Sequence, residues 1–154
     1  MEEPLKKHLK DRFSELLDAG VFSGGKEVEV LEQNISDFLN SAFSISCANG
    51  TDALELALRA LEIGPGDEVI VPANTYIASI LAITENRLSP ILVEPDEKTY
   101  NLDPKLIEQS ITPNTKAILA VHLYGQLVDM LAVNAIAHNM PFDDPEKKKR
   151  TAKG

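Results

Sequence analysis

The segment "SCANGTDAL", residues 46–54, joins an apolar run to an amphipathic one through Asn49, Gly50 and Thr51. Such a junction is where a strand end meets a helix start. The first N–H groups of a helix lack intrahelical acceptors, and the helix dipole adds partial positive charge there. Gly50 lets a ligand approach the backbone without a Cβ in the way, and Thr51 adds a hydroxyl donor. These residue types suit an anion, and phosphate is the natural guest. They equally suit a plain capped turn, with Asn49 or Thr51 holding the helix start. The local pattern leaves both readings open. Neither a P-loop nor a Gly-x-Gly-x-x-Gly fingerprint occurs, which lowers the weight of ordinary nucleotide-binding folds.

Two further loops follow apolar runs. "PANTY" (72–76) sets Tyr76 just past a strand end, where its ring can stack on a planar ligand or pack at a helix start, with Asn74 or Thr75 as the helix cap. "HLYGQLVD" (122–129) opens with His122, which reads as a core histidine with a satisfied ring. A metal site needs several convergent ligands, and three histidines and one cysteine scattered along the chain do not supply one. Cys47 reads as a small buried strand residue. No Ser-His-Asp arrangement is supported.

The elements that must position these loops are legible from periodicity. Residues 5–19 and 26–40 carry apolar residues at helical spacing, broken by "AGVFSGG". Val28, Leu31, Ile35, Phe38 and Leu39 share one side of the second helix. From residue 44 the pattern alternates. "FSISCAN", "EVIVP", "SPILVEP" and "KAILAVHLYG" read as strands. "GTDALELALRALEI", "NTYIASILAITEN", "DPKLIEQSI" and "DMLAVNAIAHN" read as helices, the first with Leu54, Ala57, Leu58 and Leu61 inward. The order βαβαβαβα predicts an α/β fold with a mainly parallel sheet and right-handed crossovers. Ligands of such sheets bind outside the carboxyl ends of the strands, where all three loops emerge. The expected division is a helical segment over 1–43, an α/β domain over 44–139, and an irregular, basic, disordered tail over 140–154.

Composition narrows the function classes. The 154 residues carry a net charge of −9, against a phosphate-backbone partner such as nucleic acid. One cysteine excludes an intrachain disulfide and fits a reducing cytoplasm. The charged start "MEEPLKKHLKDRF" lacks the apolar core of a signal peptide, and no run is long enough to span a bilayer, so no membrane partner is expected.

Taken together, "FSGGKEVEVLEQNISDFL", "NGTDALELALRALEIGPGDEVIVPANTYIAS", "VEPDEKTYNLDPKLIEQSITPNTKAI" and "VHLYGQLVDM" resemble the first half of the DegT/DnrJ/EryC1/StrS aminotransferases. The resemblance covers about residues 20–139, in order and with the expected spacing. It implies part of the large domain of the aspartate aminotransferase (type I) fold, with pyridoxal 5'-phosphate as cofactor. "PANTYIAS" and "VEPDEKTYNLDP" look most like members that aminate a dTDP-linked 3-keto-6-deoxyhexose in amino-sugar biosynthesis. On this resemblance Gly50 and Thr51 bind the cofactor phosphate and Tyr76 stacks on its ring. The Ser23-Gly24 loop lies toward the sugar nucleotide, glutamate is the usual amino donor, and the complete enzyme is a homodimer.

The same resemblance leads one to expect, after "NAIAH", a strand, a Glu-Asp-Ala-Ala-Gln type segment whose Asp pairs with the pyridinium nitrogen, and later a Lys that forms the Schiff base. The chain has "NMPFDDPEKKKRTAKG" instead. Asp143 and Asp144 follow no apolar strand. Lys147, Lys148, Lys149 and Lys153 lie in a solvated run, so no catalytic residue is assigned. The first strand is expected to lack its proper neighbours. The leading expectation is an amino-terminal portion of a nucleotide-sugar aminotransferase, inactive alone. The alternatives are a non-catalytic phosphate-binding or interaction protein that pairs with a complete homologue, and a domain complemented by a second chain.

Overall fold

A computed structural model describes residues 3–140. The basic tail beyond Met140, with Asp143, Asp144 and the Lys147–Lys149 run, lies outside the described residues. The chain forms two compact units, Met1–Cys47 and Ala48–Gly154.

The first unit contains α1 (Glu3–Ala19) and α2 (Lys26–Leu39). Both helices form where the apolar spacing predicts them. Arg12 on α1 bonds to Glu15 and, at 2.5 Å, to Glu27 on α2. These neighbouring carboxylates hold the guanidinium above its already high ordinary range, the Glu27 hydrogen bond being the largest cause. The apolar stripe of α2 forms but is not buried: Leu31, Phe38 and Leu39 are exposed, and Ser36 is its one buried residue.

"FSISCAN" is not a strand. A strand needs a ladder partner, and the backbone N–H of Ser46 goes instead to the Glu32 carboxylate at 2.7 Å, with its hydroxyl to the same oxygen at 2.6 Å. Those two bonds, the hydroxyl first, hold the Glu32 carboxyl below its ordinary range. Phe43 and Ile45, which a buried strand would cover, are exposed, and so is Cys47, contrary to its expected burial.

The second unit is built on three parallel strands, β1 (Glu68–Pro72), β2 (Ser89–Val93) and β3 (Thr115–Ile118), in the order β2-β1-β3. Around them lie α3 (Gly50–Ala60), α4 (Ile77–Glu85), α5 (Pro104–Ser110), the short 3-10 turn Leu123–Gly125 and α6 (Met130–Asn139). Side chains alternate across a strand, and β1 uses that alternation to feed two cores. Val69 and Val71 pack with Leu58, Ala82, Ile83 and Leu88 from the α3–α4 side. Ile70 packs with Val93, Leu102, Ile107, Val128, Val133 and Ile136 on the other. The continuous apolar run "VIV" is therefore a strand buried on both faces. On α3, Leu58 and Leu54 face that core, whereas Ala57 and Leu61, also expected inward, are exposed.

The fourth expected strand is shorter than its apolar run. After Leu119 donates to the Ile70 carbonyl at 2.8 Å, the next rung needs an N–H at position 72. Pro72 has none. Ala120–His122 therefore leaves the ladder and becomes the approach to the next loop.

Candidate functional site

Topology brings the three predicted loops to one edge. The chain steps from β1 through α4 to β2 on one side, then back past β1 to β3. Same-handed crossovers in opposite directions put α4 and α5 on opposite faces. The connections after the neighbouring strands β1 and β3 thus diverge, which opens a crevice at their carboxyl ends.

Helices α3 and α4 both begin at this edge. α3 returns to the start of β1, and α4 leaves from its end. Their far ends are pinned together by Asn86, the C-cap of α4, whose Oδ1 accepts from Arg59 Nε at 3.1 Å. Its Nδ2 donates to the carbonyls of Ala82 at 2.8 Å and Glu55 at 3.3 Å.

At the start of α3, Asn49 is the N-cap, and its Oδ1 accepts from the Asp52 N–H at 3.0 Å. The Asn49 amide also draws the Asp52 carboxylate aside at 3.1 Å. The N–H groups of Gly50 and Thr51 have no acceptor among the described residues. Apart from its chain neighbours and the backbone of its own helix, nothing lies within 4 Å of where a Cβ on Gly50 would sit. The capped turn and the anion site are therefore compatible: Asn49 caps one donor, and two remain open. Among the described residues, these two free N–H groups, the Thr51 hydroxyl and the open space over Gly50 form a donor set that fits a phosphate.

Tyr76 directly precedes α4 and is exposed, with its ring held by no capping bond. The expected caps act otherwise. Thr75 Oγ1 meets Ser79 Oγ at 3.0 Å, and Asn74 Nδ2 crosses to the Tyr100 carbonyl at 3.0 Å. His122 is exposed rather than in the core, but its ring is satisfied: Nδ1 accepts from the Val128 N–H at 3.1 Å. That bond leaves the Nε2 atom to carry the proton of the neutral ring.

Asn101, Tyr100 and Tyr124 also stand at this edge, with no role assigned to them from the sequence. Asn101 is buried, at 3% exposure, and is fully paired. Its Nδ2 donates to the carbonyls of Gln126 at 3.1 Å and Leu127 at 3.3 Å, and its Oδ1 accepts from the Leu123 N–H at 3.0 Å. Tyr100 and Tyr124 both adopt left-handed backbone, φ 59° and 54°, and their rings meet edge-on, 6.0 Å apart at 80°. An open cleft of about 450 Å³ lies beside them, lined by Asp96, Thr99, Asn101, Asp103 and Asp129 among others. Its carboxylates are committed to the backbone: Asp103 and Asp129 cap α5 and α6.

Asp96 accepts from the Thr99 N–H at 2.8 Å and the Lys98 N–H at 3.0 Å, which folds the turn that presents Tyr100. These bonds, to Thr99 foremost, hold its carboxyl below the ordinary range. A folded-state value below the unfolded one stabilises the turn fully above the ordinary Asp pKa of about 3.9 and loses that contribution as pH falls through the lowered value. An NMR titration should therefore show Asp96 protonating at lower pH than a free Asp, with the Lys98 and Thr99 amide signals moving in step. Titration at the ordinary value would refute this.

Comparison with known proteins decides the family. A sequence profile of the DegT/DnrJ/EryC1/StrS aminotransferase family matches residues 4–142. The chain belongs to the DegT/DnrJ/EryC1/StrS aminotransferase family. Its α/β architecture is that of the type I aminotransferase fold, as the motifs implied. It is 51% identical over 132 residues to the dTDP-3-amino-3,6-dideoxy-alpha-D-galactopyranose transaminase of Aneurinibacillus thermoaerophilus, covering 86% of this chain and 36% of that one. It is 46% identical to the UDP-2-acetamido-2-deoxy-3-oxo-D-glucuronate aminotransferase of Pseudomonas aeruginosa, covering 85% and 39%. The solved structure of DesV from S. venezuelae in complex with a ketimine intermediate superposes with a TM-score of 0.82 at 44% identity, over 90% of this chain and 38% of that one. The chain thus spans little more than a third of the length of these family members. No described helix is long and apolar enough to cross a membrane.

Proposed function

We propose that residues 44–139 supply the phosphate and ring-face side of a pyridoxal 5'-phosphate site in a nucleotide-sugar aminotransferase. The substrate is a dTDP-linked 3-keto-6-deoxyhexose and the amino donor is glutamate. When bound, the cofactor supplies the electron sink that lets an amino group pass to a ketone. The N–H groups of Gly50 and Thr51, with the Thr51 hydroxyl, hold the phosphate, and Tyr76 lies against the ring. The complete assembly works in the cytoplasm as a homodimer, and the chain alone does not turn over because no residue of it matches the family's Schiff-base Lys.

One observation carries this reading: two N–H groups with no acceptor among the described residues lie under open space, on the same sheet edge as an exposed tyrosine. Pyridoxamine 5'-phosphate tests it, because the amine form cannot react adventitiously with surface lysines. Charge-assisted bonds are worth about 1.5–3 kcal/mol. The phosphate form should therefore bind at least about tenfold more tightly than pyridoxamine. Gly50→Val, whose Cβ meets nothing within 4 Å beyond its chain neighbours and its own helix backbone, should abolish that difference without loss of fold. Equal affinity for the two ligands would sink the phosphate assignment. Amino-sugar formation by the chain alone, supplied with cofactor, glutamate and keto sugar, would sink the claim of inactivity.

A further inference from the structure

All three tyrosines of the chain, Tyr76, Tyr100 and Tyr124, stand on loops at the carboxyl edge of the sheet, and the chain has no tryptophan. Tyr76 is accounted for above. We propose that Tyr100 and Tyr124 form a wall against which the pyranose ring of the nucleotide sugar stacks. This inference rests on the cofactor reading and adds the substrate's place beside it.

The backbone gives the first argument. Bulky residues rarely take positive φ, and such outliers concentrate at functional sites. Here two occur in contact with each other, in separate loops. Burial does not offset the strain, since Tyr100 is 53% and Tyr124 is 83% exposed. Both loops are nonetheless held firmly. Asn101 bonds to the segment carrying Tyr124, and the Asp96 turn fixes Tyr100. The chain thus holds two aromatic rings in a fixed edge-on arrangement with much of their surface in water.

The location gives the second. The Tyr100 carbonyl accepts from Asn74, two residues before Tyr76, so the wall adjoins the ring-face side of the cofactor site. In a transamination the group next to the cofactor is the sugar carrying the reacting carbon, with the diphosphate and base farther out. A pyranose offers a C–H face for an aromatic ring and hydroxyls for the phenol groups.

The full chain labelled with fluorotyrosine gives three fluorine NMR signals, assignable by single Tyr→Phe changes. Pyridoxamine 5'-phosphate should move the Tyr76 signal. Added dTDP-glucose should then move the Tyr100 and Tyr124 signals, and dTDP alone should not. Tyr124→Gly removes the ring and relieves the positive φ. It should weaken dTDP-glucose binding about three- to tenfold, as expected for a lost aromatic contact, with no drop in Tm, whereas a merely structural tyrosine would lower Tm and leave binding unchanged. If dTDP-glucose leaves both signals in place while Tyr76 responds to the cofactor, or if dTDP alone reproduces the shifts, the wall is overturned and the cofactor reading stands. Movement of Tyr100 and Tyr124 with a silent Tyr76 supports the wall and counts against the cofactor reading.

Discussion

Asn101→Leu should destabilise the second unit by about 3 kcal/mol, from three lost hydrogen bonds at about 1 kcal/mol each. Leucine is close in size, so the change removes polarity with little change of volume. The carbonyls of Gln126 and Leu127 and the N–H of Leu123 all lose their partner at once. For a unit of this size that corresponds to a fall in Tm of roughly 10–20 °C. Asn101→Asp should be at least as damaging at neutral pH, because it sets a carboxylate against two carbonyl oxygens. Thermal unfolding followed by circular dichroism measures both. A loss below about 1 kcal/mol for the leucine variant would mean that the Leu123–Val128 segment is held by something else.

Ile70→Ala should cost more, about 3–4 kcal/mol within the usual range of 2–5 for such truncations. Ile70 is fully buried at the centre of the α5–α6 side core, and it is paired in register with Ile91 and Ile118. Leu92→Ala on the adjacent strand provides the contrast: that side chain is 54% exposed and should cost under about 1 kcal/mol. Urea unfolding of the two variants separates the cases. Equal losses would contradict the burial of Ile70 in the α5–α6 side core.

Much of this architecture was legible because its signals are local. "EVIVP" is uniformly apolar since both its faces are covered, and β1 spans those five residues. Asp103 before Pro104 and Asp129 before Met130 announce helix starts, and each caps one. The start of α3 was readable for the same reason. The failures concern partners distant in sequence. "FSISCAN" has strand composition, but strand formation needs a neighbour, and Glu32 takes the Ser46 N–H that a neighbour would have used. His122 looked like core because its flanks are apolar, yet its ring closes a turn six residues on. Asn101 reads as an ordinary loop residue, since nothing near it in sequence says that three backbone groups 22–26 residues away converge on its amide. The left-handed tyrosines have no signal at all, as positive φ is normally announced by glycine or asparagine.

Pro72 has a consequence for the dimensions of the crevice. A parallel strand advances about 3.3 Å per residue, and each further rung toward β3 would zip two more residues into the sheet. With no hydrogen on its nitrogen, Pro72 stops the β1–β3 ladder at Ile70 and Leu119. The stretch from Ala120 to His122 is thereby released from the ladder, while Ala120 stays packed against the core around Ile70. How far the sheet reaches toward the loops of Tyr76 and Tyr124 is thus set by one absent donor at the end of its central strand.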